Sequence, residues 1–200
     1  MKVSGQQAIE HVTDMNLKIN KILDFWFVET SAEQKFKKDL KFDQVIKDKF
    51  LSDYESASQN KLDDWQSTGR GCLALIILLD QFSRNLFREN GKAFEQDDKS
   101  RSVLLKIVAN NFLETMNESE RLFALLPLIH SENILDHEKA YELMEKYLRN
   151  HSEIEKIKKF WLDHTAVIKR FARYPHRNKV LNRVSSDDEI EFLNSPNSSW

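Results

Sequence analysis

Positive charge, an imidazole and a proline come together in one short stretch of this 200-residue chain, KRFARYPHRNKVLNR at positions 169–183. It holds Lys169, Arg170, Arg173, Arg177, Lys179 and Arg183 around the turn Tyr174-Pro175-His176, and no Asp or Glu occurs from His164 to Ser186. Guanidinium groups present planar forks of N–H donors that match phosphate and carboxylate, and an imidazole exchanges a proton near neutral pH. The pattern marks Arg173, His176, Arg177, Asn178 and Arg183 as candidates for an anion site. A basic helix C-terminus is the plainer reading. Each cation there contributes about 0.3–1 kcal/mol against the helix dipole, but one or two such residues meet that need.

Three further places carry chemistry. Asp80 follows directly on the apolar run CLALIILL, and Arg84 comes one turn later on the same helix face. A carboxylate and a guanidinium where core is expected are either a structural ion pair or a positioned acid and an anion clamp. His130 and Glu132 follow Pro127, where a helix break turns side chains toward a cavity; a core histidine bonded to a carbonyl is the alternative. Their spacing matches no strong zinc signature, and no metal or other cofactor is expected. His164 lies in the stripe Phe160/Trp161/Val167/Ile168/Phe171, either as a satisfied core histidine or as part of the basic cluster. The candidates for proton handling are thus Asp80, His130 and His176. Those for ligand binding are Arg84, Glu132, His164, Arg173, Arg177, Asn178 and Arg183.

These residues must be positioned by helices. Four Gly and three Pro in 200 residues fall far below ordinary usage of roughly 7% and 5%. Apolar residues recur at helical spacing over about 6–28, through a second helix with Phe42, Val45, Ile46, Phe50 and Tyr54 on one stripe, and then over about 71–88, 92–110, 135–149 and 153–173. The segment at 71–88 is apolar on all sides and reads as a buried central helix. Ser31/Gln34, Asn117/Glu120 and Ser186/Glu189 have the spacing of capping boxes. Pro127 should kink or end the helix that Asn117 opens. The chain reads as one all-helical domain over 1–193, with 1–20 as an N-terminal helical extension and 194–200 as a frayed polar tail. Periodicity alone leaves helical array and irregular bundle equally open.

A net charge of −2 gives no global drive toward nucleic acid or membrane. The single Cys72 suits a reducing cytosol, the first residues lack an apolar leader, and the longest apolar run, 72–79, is far short of the ~20 residues that span a bilayer. A soluble, cytoplasmic protein is expected.

Several segments, taken in order, resemble a bacterial family known as domain of unknown function 924. They are ILDFWF at 22–27, LALIILLDQFSRNLFR at 73–88, AFEQD at 93–97, LPLIHSE at 126–132 and RFARYPHRNKVLNRVSSDDEIEFL at 170–193. The resemblance implies an all-helical fold similar to the tetratricopeptide-like superhelix, and no known reaction. The polar residues shared with the family are Asp80, Gln81, Arg84, His130, Glu132, His164, Arg173, His176, Arg177, Asn178 and Arg183. The chain departs from the family pattern at Ala172 and Asn182, where glycine is usual, which points to a somewhat altered turn backbone. Two functions compete. One is a pocket protein, possibly enzymatic, holding a phosphate- or carboxylate-bearing ligand. The other is a helical scaffold for a protein or peptide, with the Arg/His cluster as an internal brace.

Overall fold

The computed structural model describes residues 5–196 and 198, and all regular structure among them is helical. The expectations for the first four residues and for 197, 199 and 200 of the tail lie outside the described residues.

Helix α1 (Gly5–Asp24) runs into a π turn at Phe25–Glu29, and a short α2 (Ala32–Phe36) follows. The next helix, α3, spans Leu40–Ser58. The Ser31 capping box therefore opens only the five-residue α2, and a second cap, the Asp39 side chain accepting from Lys41 N and Phe42 N, starts α3. Val45, expected on the buried stripe of α3, is exposed, while Phe42, Ile46, Phe50 and Tyr54 are buried.

The central helix is α4 (Gly69–Ile76), continued by a π turn at Ile77–Phe82 and by α5 (Ser83–Leu86). Thr68 caps it by accepting from Gly71 N at 3.1 Å. Gly71 is required there, because a Cβ would lie 2.0 Å from the carbonyl oxygen of Trp65. All eight residues of the apolar run are buried, and the helix packs against α1, α6 (Asp97–Ala109) and α7 (Glu118–Ile129), with α3 against its far end. Apolar residues on every face of this helix thus find partners on every face. Trp26, Phe82 and Phe123 meet edge to face at 5.6 and 5.5 Å, each contributing about 1.5–3 kcal/mol by burial.

The helix expected to start at 92 begins later. Gly91–Ala93 is a 3₁₀ turn and α6 opens at Asp97. Helix α7 starts at the Asn117/Glu120 capping box and continues two residues past Pro127 before His130 caps its end. Next come α8 (Ile134–Tyr147) and α9 (Ile154–Phe171), each packed on α7. Ala172 ends α9 in the left-handed region at φ 54°, and Asn182 is also left-handed at φ 54°. Ala172 and Asn182 thus hold conformations that glycine adopts most readily. A 3₁₀ turn at Pro175–Arg177 leads to α10 (Asp187–Leu193), opened by the Ser186/Glu189 capping box.

Candidate functional site

The end of the central helix, the end of α7 and the turn after α9 converge. Asp80 sits in the π turn, fully buried. Its Oδ1 accepts from His130 Nδ1 at 2.7 Å and from Arg84 Nη2 at 3.2 Å, and its Oδ2 accepts from Gln81 Nε2 at 2.6 Å. Burial on its own would raise the Asp80 carboxyl, but His130, Arg84 and Gln81 outweigh it and hold the group below the usual carboxylate range. An ionised Asp80 is an acceptor only, so His130 donates to it from Nδ1 and presents Nε2 on the other side. The His130 side chain is 17% exposed and lines a hollow of about 250 Å³.

Arg177 forms an adjoining wall. Only 6% exposed, it donates to Asp97 Oδ2 at 3.1 Å and to the His130 carbonyl at 3.0 Å. Its guanidinium stacks on Phe94 and on Tyr174, 4.5 Å from each ring centre. Arg84 lies over Phe94 at 4.6 Å, and its Nη2 is 2.8 Å from Asp97 Oδ1, an ion pair out of hydrogen-bond alignment. Asp97, at the first residue of α6, therefore gathers two guanidinium groups.

Arg183 and Arg173 of the basic stretch are also matched. Arg183 grips Glu132 with both terminal nitrogens, at 2.6 and 3.0 Å, and also donates to the Tyr174 carbonyl. Glu132 further accepts from Tyr174 N at 2.9 Å. Burial pushes the Glu132 carboxyl up, and the bonds from Arg183 and Tyr174 bring it below the ordinary value. Arg173 makes a two-pronged bond with Glu189 at 2.6 and 2.7 Å, which lowers Glu189 to about 2. Asn178 Nδ2 donates to Ser185 Oγ at 3.0 Å.

The histidines divide by surroundings. His164 is buried, donates from Nδ1 to the Phe160 carbonyl at 2.8 Å and meets Tyr174 edge to face at 5.8 Å. His176 packs on the same tyrosine at 5.6 Å. Burial lowers both to about 3, with Arg177 and Arg84 adding to the effect at His176.

Of the ten residues singled out from the sequence, the hollow is lined by His130, Glu132 and Arg177; Asp80 and Arg84 stand behind that wall, and Arg183 is tied to Glu132. His164, Arg173, His176 and Asn178 do not line it. Arg173 borders a separate open groove with Arg170, Ser186 and Glu189. Sequence reasoning passed over Asp97, Phe94 and Arg101, all of which line the hollow. The one signal for them was their place in or next to the quoted stretch AFEQD. Among the described residues no group of three or more His, Cys, Asp or Glu is arranged to hold a metal ion, and no helix is long and apolar enough to cross a membrane.

Among solved structures, the chain is similar to a protein of unknown function, ATU0120 from Agrobacterium tumefaciens. The two are 29% identical with a TM-score of 0.81, over 90% of this chain and 99% of that one. No curated protein matches. The family model described as bacterial protein of unknown function matches residues 22–197, a span that contains every site residue described above. The chain therefore belongs to the bacterial family of proteins of unknown function DUF924.

Proposed function

We propose that this protein binds a small molecule in the hollow beside His130 and exchanges a proton with it. The observation that carries this reading is the Asp80–His130 pair. A fully buried, ionised carboxylate orients an imidazole by its Nδ1 while the same residue lines a 250 Å³ hollow. An imidazole held in one tautomer by a carboxylate is the arrangement used for general acid–base catalysis. Gln81 and Arg84 fix the carboxylate in turn. Ser131 offers the hollow a hydroxyl, but it donates to Asp136 Oδ2 at 2.5 Å and accepts from Asn133 N at 3.1 Å, so it is a poor nucleophile. On this reading His130 is the proton-transfer residue, Asp80 positions it, Glu132 and Arg177 line the hollow, and Arg84 and Arg183 brace that lining from behind. His164, Arg173, His176 and Asn178 hold the C-terminal turn that carries Arg177. The unit is taken as residues 1–193 in a tetratricopeptide-like array working in the cytoplasm.

The test uses the variant His130→Gln. Thermal-shift screening of the wild type against small polar metabolites should give saturable stabilisation, and His130→Gln, still folded by circular dichroism, should lose it. Silence of the wild type across a broad panel sinks the reading.

One observation favours a second reading, a helical scaffold with the polar cluster as a brace: Arg84, Arg173, Arg177 and Arg183 are each met by a carboxylate. That reading gains if Arg177→Ala unfolds the chain while no small molecule binds.

A further inference from the structure

We infer that the ligand of the hollow is a small monocarboxylate and that Arg101 is the residue that receives its charge. This rests on the hollow being a ligand site, and it moves the anion-binding role away from the basic C-terminal turn. Asp97 carries Arg177 and shares Arg84 with Asp80, and Glu132 carries Arg183, so these three inner carboxylates and three guanidinium groups neutralise one another.

Arg101 differs from all of them. It lines the same hollow as His130, its side chain is 32% exposed, and its nearest carboxylates are Asp98 at 3.6 Å and Asp136 at 3.5 Å. The Asp98 side chain is 96% exposed, and a water-screened pair of that kind contributes little. Asp136 takes the Ser131 hydroxyl on Oδ2 at 2.5 Å and faces Arg101 with Oδ1 at 3.5 Å, without a hydrogen bond between them. An incoming carboxylate can therefore compete for the Arg101 fork by making two parallel N–H bonds, which neither acid makes.

Charge and size narrow the class. Among the described residues Arg101 is the lining cation without a hydrogen bond to a carboxylate, and Glu95, Asp97, Asp98 and Glu132 also line the hollow, so a dianionic phosphate would meet more repulsion there than a monocarboxylate does. A volume of 250 Å³ lies below the roughly 300 Å³ at which ordinary ligand pockets begin. A molecule small enough to fill it touches both Arg101 and His130.

The experiment titrates full-length protein, labelled with ¹⁵N in its histidines, with butyrate, 3-hydroxybutyrate, butyramide and butylamine. The His130 ring signals are identified by their loss in His130→Gln. Both carboxylates should shift these signals saturably and bind at least tenfold more tightly than butyramide or butylamine. Arg101→Met, with unchanged melting temperature, should weaken carboxylate binding at least tenfold and leave butyramide as it was; Arg101→Lys should recover part of the loss. If Arg101→Met binds the acids as well as wild type does, or if the amide or amine binds as tightly as the acids, the carboxylate assignment falls and the hollow remains a ligand site. If none of the four probes moves the His130 signals, both proposals fall together.

Discussion

The two sides of the hollow use the same residue types to opposite effect. In the C-terminal turn, Arg173, Arg177 and Arg183 each close on a carboxylate from another part of the chain, and Tyr174, fully buried, ties its hydroxyl to the Ile129 carbonyl. At the end of the central helix, Asp80 is as deeply buried and as well bonded, but its partner His130 keeps one ring nitrogen turned away from it. One side is a lock with its charges consumed; the other is a lock with an opening. Of the six cations in the run at 169–183, Arg173, Arg177 and Arg183 are consumed by acids, while Lys169, Arg170 and Lys179 stay exposed. What counts is which acids fold onto it.

This contrast can be broken most sharply from the lock side. Arg177→Ala removes an ion pair, a bond to the His130 carbonyl and stacking on two rings. The expected cost is about 3–5 kcal/mol, read from urea unfolding.

Acid should loosen the same side next. His164 and His176 stay neutral in the folded protein down to about 3, whereas unfolded histidine protonates near 6.5. Because the folded values are depressed, their contribution is complete above 6.5 and declines as pH falls toward 3. Each removes about 2 kcal/mol by pH 5. The lowered carboxyls of Asp80, Glu132 and Glu189 act in the same direction at lower pH. Unfolding free energies from pH 7.5 to 4.5 should fall accordingly, and a flat profile would contradict the burial of these rings.

On the open side, His130→Gln should be milder. Asp80 keeps Arg84 and Gln81, so a loss of about 1–2 kcal/mol is expected, together with complete loss of ligand response. A cost as large as that of Arg177→Ala would make the two sides equivalent. The smallest effect should come at Ala172, whose φ of 54° suits glycine better. Ala172→Gly relieves left-handed strain and should raise stability by about 1 kcal/mol, visible as a higher melting temperature.

How much of this was readable in the sequence depended on the distance over which the information is written. The three capping boxes lie within four residues each and form as their spacing requires. The buried central helix follows from an unbroken apolar run, and the Asp80–Arg84 pair from i,i+4 spacing. The carboxylate partners of the basic turn were not readable. Arg177 reaches Asp97 across 80 positions and Arg183 reaches Glu132 across 51, and nothing local in either segment marks the match. Arg101 was missed for the same reason, since a single arginine on an amphipathic helix looks like any solvated charge. The π turns at Phe25–Glu29 and Ile77–Phe82 left no trace in the periodicity, because each shifts the pattern by only one position.

That second π turn has an evolutionary consequence. A helix absorbs one extra residue as a single widened turn while the stretches before and after it keep their faces, and Asp80 sits inside this one. Deleting Asp80 alone should let the turn contract to an ordinary one and leave Leu73 through Ile76 and Phe82 seated as before. A lineage could thus discard its chemistry through a one-codon deletion and retain the architecture, so a relative one residue shorter at this point would be a natural scaffold-only counterpart.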